Sequence, residues 1–110
     1  MQGAFLILPE FDQNRNAMGL TDEDLRRLEN EILKDPSAGA VMQGTGGLRK
    51  LRFALDNRGK SGSARVCYVD IVLRETIFLI TAYPKNEKEN LSKAERNNIR
   101  TIIEHLEQTL

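Results

Sequence analysis

Histidine and cysteine are nearly absent from this 110-residue chain, where His105 and Cys67 each stand alone. One of each cannot supply the Cys/His cluster that a zinc site needs, so neither a metal centre nor another cofactor is expected. A single cysteine also cannot close an internal disulfide. Long apolar runs are missing too, and none approaches the ~20 residues needed to cross a bilayer. The start, MQGAFLILPEFD, shows no basic leader ahead of an apolar stretch; the expected location is the cytoplasm, with no membrane partner. The formal net charge is +0, which at face value argues against a nucleic-acid partner.

What is present narrows the reading. A 40% hydrophobic, 29% charged composition is that of a globular protein. A chain of this length buries roughly 65% of its unfolded surface, enough for one modest core, so a single domain over residues 1–110 is expected. The charge is unevenly spread. Residues 1–42 are acid-rich, whereas residues 43–67 hold Arg49, Lys50, Arg52, Arg58, Lys60 and Arg65 against Asp56 alone. Attraction to a polyanion depends on local potential as well as net charge, so this block is either a phosphate-facing surface or an ordinary solvated hairpin.

Local patterns suggest the elements. Ala4 to Leu8 reads as a short strand stopped by Pro9, and Asp12 to Met18 as a short helix before Gly19. Thr21 caps a second helix with Asp22, Glu23 and Asp24 in its first turn, and Pro36 ends it near Lys34. Gly44, Gly46 and Gly47 are expected to loosen the chain. In LRKLRFAL, Leu51, Phe53 and Leu55 alternate with Lys50, Arg52 and Ala54, the period of a half-buried strand. Lys50 and Arg52 then leave from one face about 7 Å apart, two strand rises, a separation suited to gripping one nucleic-acid backbone. DNRGKSGS, carrying Arg58 and Lys60, reads as a hairpin connection. Ala64 to Val72 and Thr76 to Ala82 read as central strands covered on both faces. Ser92, Lys93, Ala94 and Glu95 form a capping box that opens a last helix with Ile99, Ile102, Ile103, Leu106 and Leu110 as its apolar stripe. The expected architecture is α+β, an antiparallel sheet with N-terminal helices and a C-terminal helix packed on it.

The runs GTGGLRKLRFA, SARVCYV and ITAYPKNEKENLS, with the basic hairpin between the first two, resemble the HigB branch of the RelE/ParE toxin superfamily across nearly the whole chain. The resemblance implies a toxin of a type II toxin–antitoxin pair, a ribosome-dependent endoribonuclease that cuts mRNA by metal-free attack of a ribose 2′-OH on the adjacent phosphate. Its implied partners are the ribosome, mRNA and a cognate antitoxin of helix-turn-helix type. Its implied catalytic positions are Lys50 and Arg52, then Arg65, then Lys85. Relatives often carry a tyrosine or histidine near the C-terminal helix as acid or base, and no such residue lies between Lys85 and Glu104.

In-line attack builds negative charge on the equatorial phosphate oxygens, and preorganised Arg and Lys donors are the usual means of stabilising it. Arg52 and Arg65 suit that role, and Lys50 could take a proton only if crowded by like charge such as Arg49, Arg52 and Arg65. Arg49, Arg58, Lys60 and Tyr83 are candidate RNA contacts, Tyr83 as either a stacking platform or a core edge residue. Arg65 could alternatively form a structural ion pair with Asp70 or with an acid on a helix. Two other functions remain open: a ParE-like poison of DNA gyrase, and a binding module that grips RNA or protein without cutting. Cys67 reads as a small buried hydrophobe, and His105 as a surface residue.

Overall fold

The computed structural model describes residues 4–55, 63–88 and 90–109. Strand β1 (Ala4–Ile7) leads directly into helix α1 (Pro9–Met18). Pro9 therefore starts the helix where the sequence suggested only a stop. Its missing N–H is one of the donors that a first helical turn leaves unused anyway, and its fixed φ suits that position. Gly19 ends α1 at φ 71°. Its N–H and that of Leu20 bond back to Asn16 and Arg15 carbonyls, which leaves Leu20 turned into the core.

Helix α2 (Asp22–Lys34) is fixed by a reciprocal cap. The Asp24 N–H donates to Thr21 Oγ1, and the Thr21 N–H donates to Asp24 Oδ2, both at 3.0 Å. Its inward residues Leu28 and Ile32 are fully buried. Arg27 leaves the same helix to lie 4.2 Å over the Phe53 ring and to donate to the Ala54 carbonyl at 2.9 Å, so α2 clamps the strand below it.

Strands β2 (Ala40–Val41), β3 (Arg49–Ala54), β4 (Ser63–Ile71) and β5 (Thr76–Pro84) join β1 in one five-stranded sheet ordered β1-β5-β4-β3-β2. Strands β3, β4 and β5 pair antiparallel in sequence order as expected, but the sheet is mixed rather than purely antiparallel, because β1 pairs in parallel with β5. The β2–β3 connection is also ordered where glycines were expected to loosen it. Buried Thr45 donates to the Met42 carbonyl at 2.6 Å and accepts from the Leu48 N–H at 3.0 Å. Gly46 and Gly47 adopt φ of 79° and 114°, conformations that a side chain would strain. GTGG is thus a tight turn that launches β3.

Helix α3 (Lys93–Thr109) covers the other side. The Glu95 N–H donates to Ser92 Oγ and the Ser92 N–H to Glu95 Oε1, the reciprocal pair read from sequence. Ile99 and Ile103 pack with Leu48, Cys67, Val69 and Phe78, while Phe11, Leu28 and Ile32 pack with Phe53, Val66 and Tyr68 on the opposite face. Both faces of β4 and β5 are therefore buried, as their lack of polar alternation suggested. Leu110 lies outside the described residues. No helix among them is long and apolar enough to cross a membrane.

Candidate active site on the basic strands

Register decides which cations meet. Arg52 of β3 lies directly opposite Arg65 of β4, and Arg65 opposite Tyr83 of β5. The next row on the same face is Lys50, Cys67 and Thr81. Cys67 and Tyr83 belong to the cluster under α3, so Lys50, Arg52 and Arg65 all leave the sheet on that side. Facing positions in adjacent strands hold their Cβ atoms about 5 Å apart, and like charges placed there destabilise a sheet.

Nothing among the described residues relieves the Arg52–Arg65 pair. Arg65 is half-buried, and its Nη1 is buried without a hydrogen-bond partner. The ion pair with Asp70 does not form: five positions along β4, Asp70 points to the opposite face, and its Oδ1 is itself without a partner. Buried charged donors are rarely left unmatched in folded proteins. Two arginines on facing positions, one with a buried donor that lacks a partner, are the group on this surface best suited chemically to an anion.

Lys50 is held differently. Its Nζ donates to Asn90 Oδ1 at 2.6 Å, bridging β3 to the segment that leads into α3. Lys88, in the same segment, pairs with Glu95 at 2.6 Å and sits 5.0 Å over the Tyr83 ring. The Lys88 hydrogen bond, followed by the Ser92 N–H, holds the Glu95 carboxyl below its ordinary range. Tyr83 itself is buried, which places it at the core edge with a cation over its face rather than open for stacking on a base. Lys85 is exposed in the turn after β5, one residue beyond Pro84, and Pro84 faces Ala64 beside the Arg65 row.

A cleft of about 680 Å³ adjoins this surface, lined among others by Glu10, Asn14, Tyr83, Glu87, Lys88 and Glu95. Asn14 closes its floor: where β1 stops, its Oδ1 accepts from the Ala82 N–H and the Thr81 hydroxyl, both at 3.0 Å. α1 thereby replaces a missing strand at the edge of β5. Cys67 lies beneath the site with its thiol pushed up to about 12 by burial, against the opposing pull of Lys50 and Lys88. A thiol so placed stays protonated and is not a nucleophile.

Arg49 does not join the others. Its Nη1 donates to the Ser37 and Gly39 carbonyls at 3.1 and 2.7 Å, on the face where the Tyr68 hydroxyl donates to the Pro36 carbonyl and accepts from the Gly39 N–H. Arg58 and Lys60 lie outside the described residues. His105 is exposed on α3. Among the described residues no three His, Cys, Asp or Glu side chains come together as metal ligands. Asn90, Lys88 and Asn14 had given no signal in the sequence, because each partnership depends on the path of a loop or the end of a neighbouring strand.

A family model described as the RelE toxin of the RelE / RelB toxin-antitoxin system matches residues 9–109. With nearly the whole chain matched, and with its basic strands and α+β order arranged as above, the protein belongs to the RelE/ParE toxin superfamily, as the toxin whose partner is an antitoxin.

Proposed function

We propose that this toxin is a HigB-like, ribosome-dependent mRNA endoribonuclease, acting as a single cytoplasmic domain without a cofactor. The observation that carries the reading is the Arg52–Arg65 pair with the open, buried Nη1 of Arg65. Such a pair is costly to the fold and useful to a phosphate. In this reading a ribose 2′-OH attacks the adjacent phosphorus in line, and charge gathers on the equatorial oxygens. Arg65 and Arg52 donate to those oxygens, where preorganised donors contribute most. Lys50, steadied by Asn90, and Lys85 hold the neighbouring backbone. Arg58 and Lys60, in the basic stretch between β3 and β4 in sequence, are further candidate RNA contacts in this reading.

The ribosome supplies what the site lacks, a message fixed in attacking geometry, and orientation alone contributes several kcal/mol. Primer extension on a message incubated with purified protein, with and without translating ribosomes, tests this. Cuts within codons only when ribosomes translate are expected. Rapid cutting of naked RNA would remove the ribosome from the account. An intact message with lowered translation would instead support a binding module, and lost DNA supercoiling a gyrase poison.

A further inference from the structure

A second polar anomaly lies at the other end of these strands. The buried, unpartnered Oδ1 of Asp70 borders a cavity of about 440 Å³, whose lining includes Val41, Arg49 and Val72. Arg49 lines the same cavity with its Nη1 donating to the Ser37 and Gly39 carbonyls, and no hydrogen bond reaches the Asp70 Oδ1. Its lining mixes Ser37 and Arg49 with the aliphatic Val41 and Val72, and Leu73 follows Val72 in sequence. Val41 is 55% exposed, Val72 66%, and Leu73, next to Val72 in the turn between β4 and β5, 95%. Exposed aliphatics gathered about a concavity mark an interaction surface more often than scattered ones do.

We infer that this end of the sheet docks the antitoxin, through a segment that brings a lysine or arginine to Asp70 and aliphatic side chains to Val41, Val72 and Leu73. Charge complementarity selects that partner. A carboxylate oxygen withdrawn from water without a partner is best met by a cation carrying its own hydrogen bonds, and the exposed aliphatic side chains beside it offer apolar area that excludes water around the pair. An RNA backbone does not fit, because its phosphates would meet Asp70. The surface is separate from the Arg52–Arg65 row, which sits on the opposite face of the sheet, so docking here leaves the basic cleft to other segments of the antitoxin or blocks entry to the ribosome. The inference rests on the toxin–antitoxin pairing but not on the cleavage mechanism.

Two variants test it. Asp70→Asn keeps the shape, and Leu73→Ser changes a side chain too exposed to hold the fold together. Each is titrated calorimetrically with the protein encoded by the adjacent reading frame, assayed alone for cutting of translated mRNA, and sedimented alone. Kd is expected to rise about 10-fold or more for each, with cutting unchanged. Affinities equal to the parent's would overturn the inference. So would a toxin dimer that Leu73→Ser dissolves, which assigns the patch to a second copy. If the parent does not bind the adjacent protein, the docking inference falls with the pairing. If parent and variants alike cut no mRNA while antitoxin binding weakens as expected, the ribonuclease reading fails and the docking surface stands.

Discussion

The two faces of β3 and β4 carry the same residue type to opposite ends. On one face Arg49 and Tyr68 stand opposite each other with their polar groups engaged: the guanidinium spans two carbonyls, and the phenol is bonded to Pro36 and Gly39. On the other face Arg52 and Arg65 stand opposite each other with a buried donor left open. One arginine fastens the loop after α2, and the other two are the pair proposed to meet a phosphate. The lesson is that partners, rather than residue type or proximity in sequence, separate a structural cation from a candidate catalytic one.

The comparison can be broken by substitutions on either face. Phe53→Ala, which empties a fully buried site under Arg27, should cost about 3–5 kcal/mol and abolish toxicity by unfolding, seen as a collapsed thermal melt. Arg52→Ala should leave the melt almost unchanged, since substitutions at exposed positions usually stay within about 0.5 kcal/mol, and Lys50→Ala, at a half-buried position bonded to Asn90, should lose about 1 kcal/mol. Their cutting of translated message should nevertheless fall roughly 100-fold to 1,000-fold. Arg49→Ala should do the reverse, losing about 2 kcal/mol of stability with its carbonyl contacts, while the protein that remains folded cuts at nearly the parental rate. Tyr68→Phe should lose about 1 kcal/mol for the same reason, read by urea denaturation.

The smallest effect concerns acid. The folded-state pKa of Glu95 lies below its unfolded value, so the stabilisation is present above the unfolded value and is lost as pH falls through the folded one. The side chain is 43% exposed, so screening holds the effect to about half a kcal/mol. Melts from neutral pH down through the carboxylate range should show this loss in the parent and a smaller one in Glu95→Gln.

Much of this arrangement was legible in the sequence because it is local. Thr21 and Ser92 announce their helices through carboxylates three residues on, and alternation alone puts Lys50 and Arg52 on one face with Phe53 on the other. What was not legible depends on distant chain. Two residues of β2 are too few to show a period, and the parallel pairing of β1 with β5 joins positions more than seventy residues apart, such as Ala4 and Thr76. Pro9 reads as a strand stop until the helix it begins is seen. The Arg52–Arg65 opposition required the register of β3 on β4, and the hold of Asn90 on Lys50 required the path of the segment before α3.

The most direct test of the account is Arg65→Ala, assayed by primer extension on translated message at equal concentration and by thermal melt on the same preparation. Removing one of two opposed arginines relieves repulsion and a buried unmatched donor. The account predicts a melting temperature at or above the parent's together with a loss of cutting of about 100-fold or more. Cutting retained within a few-fold, or an activity loss that merely follows a lowered melting temperature, would contradict it.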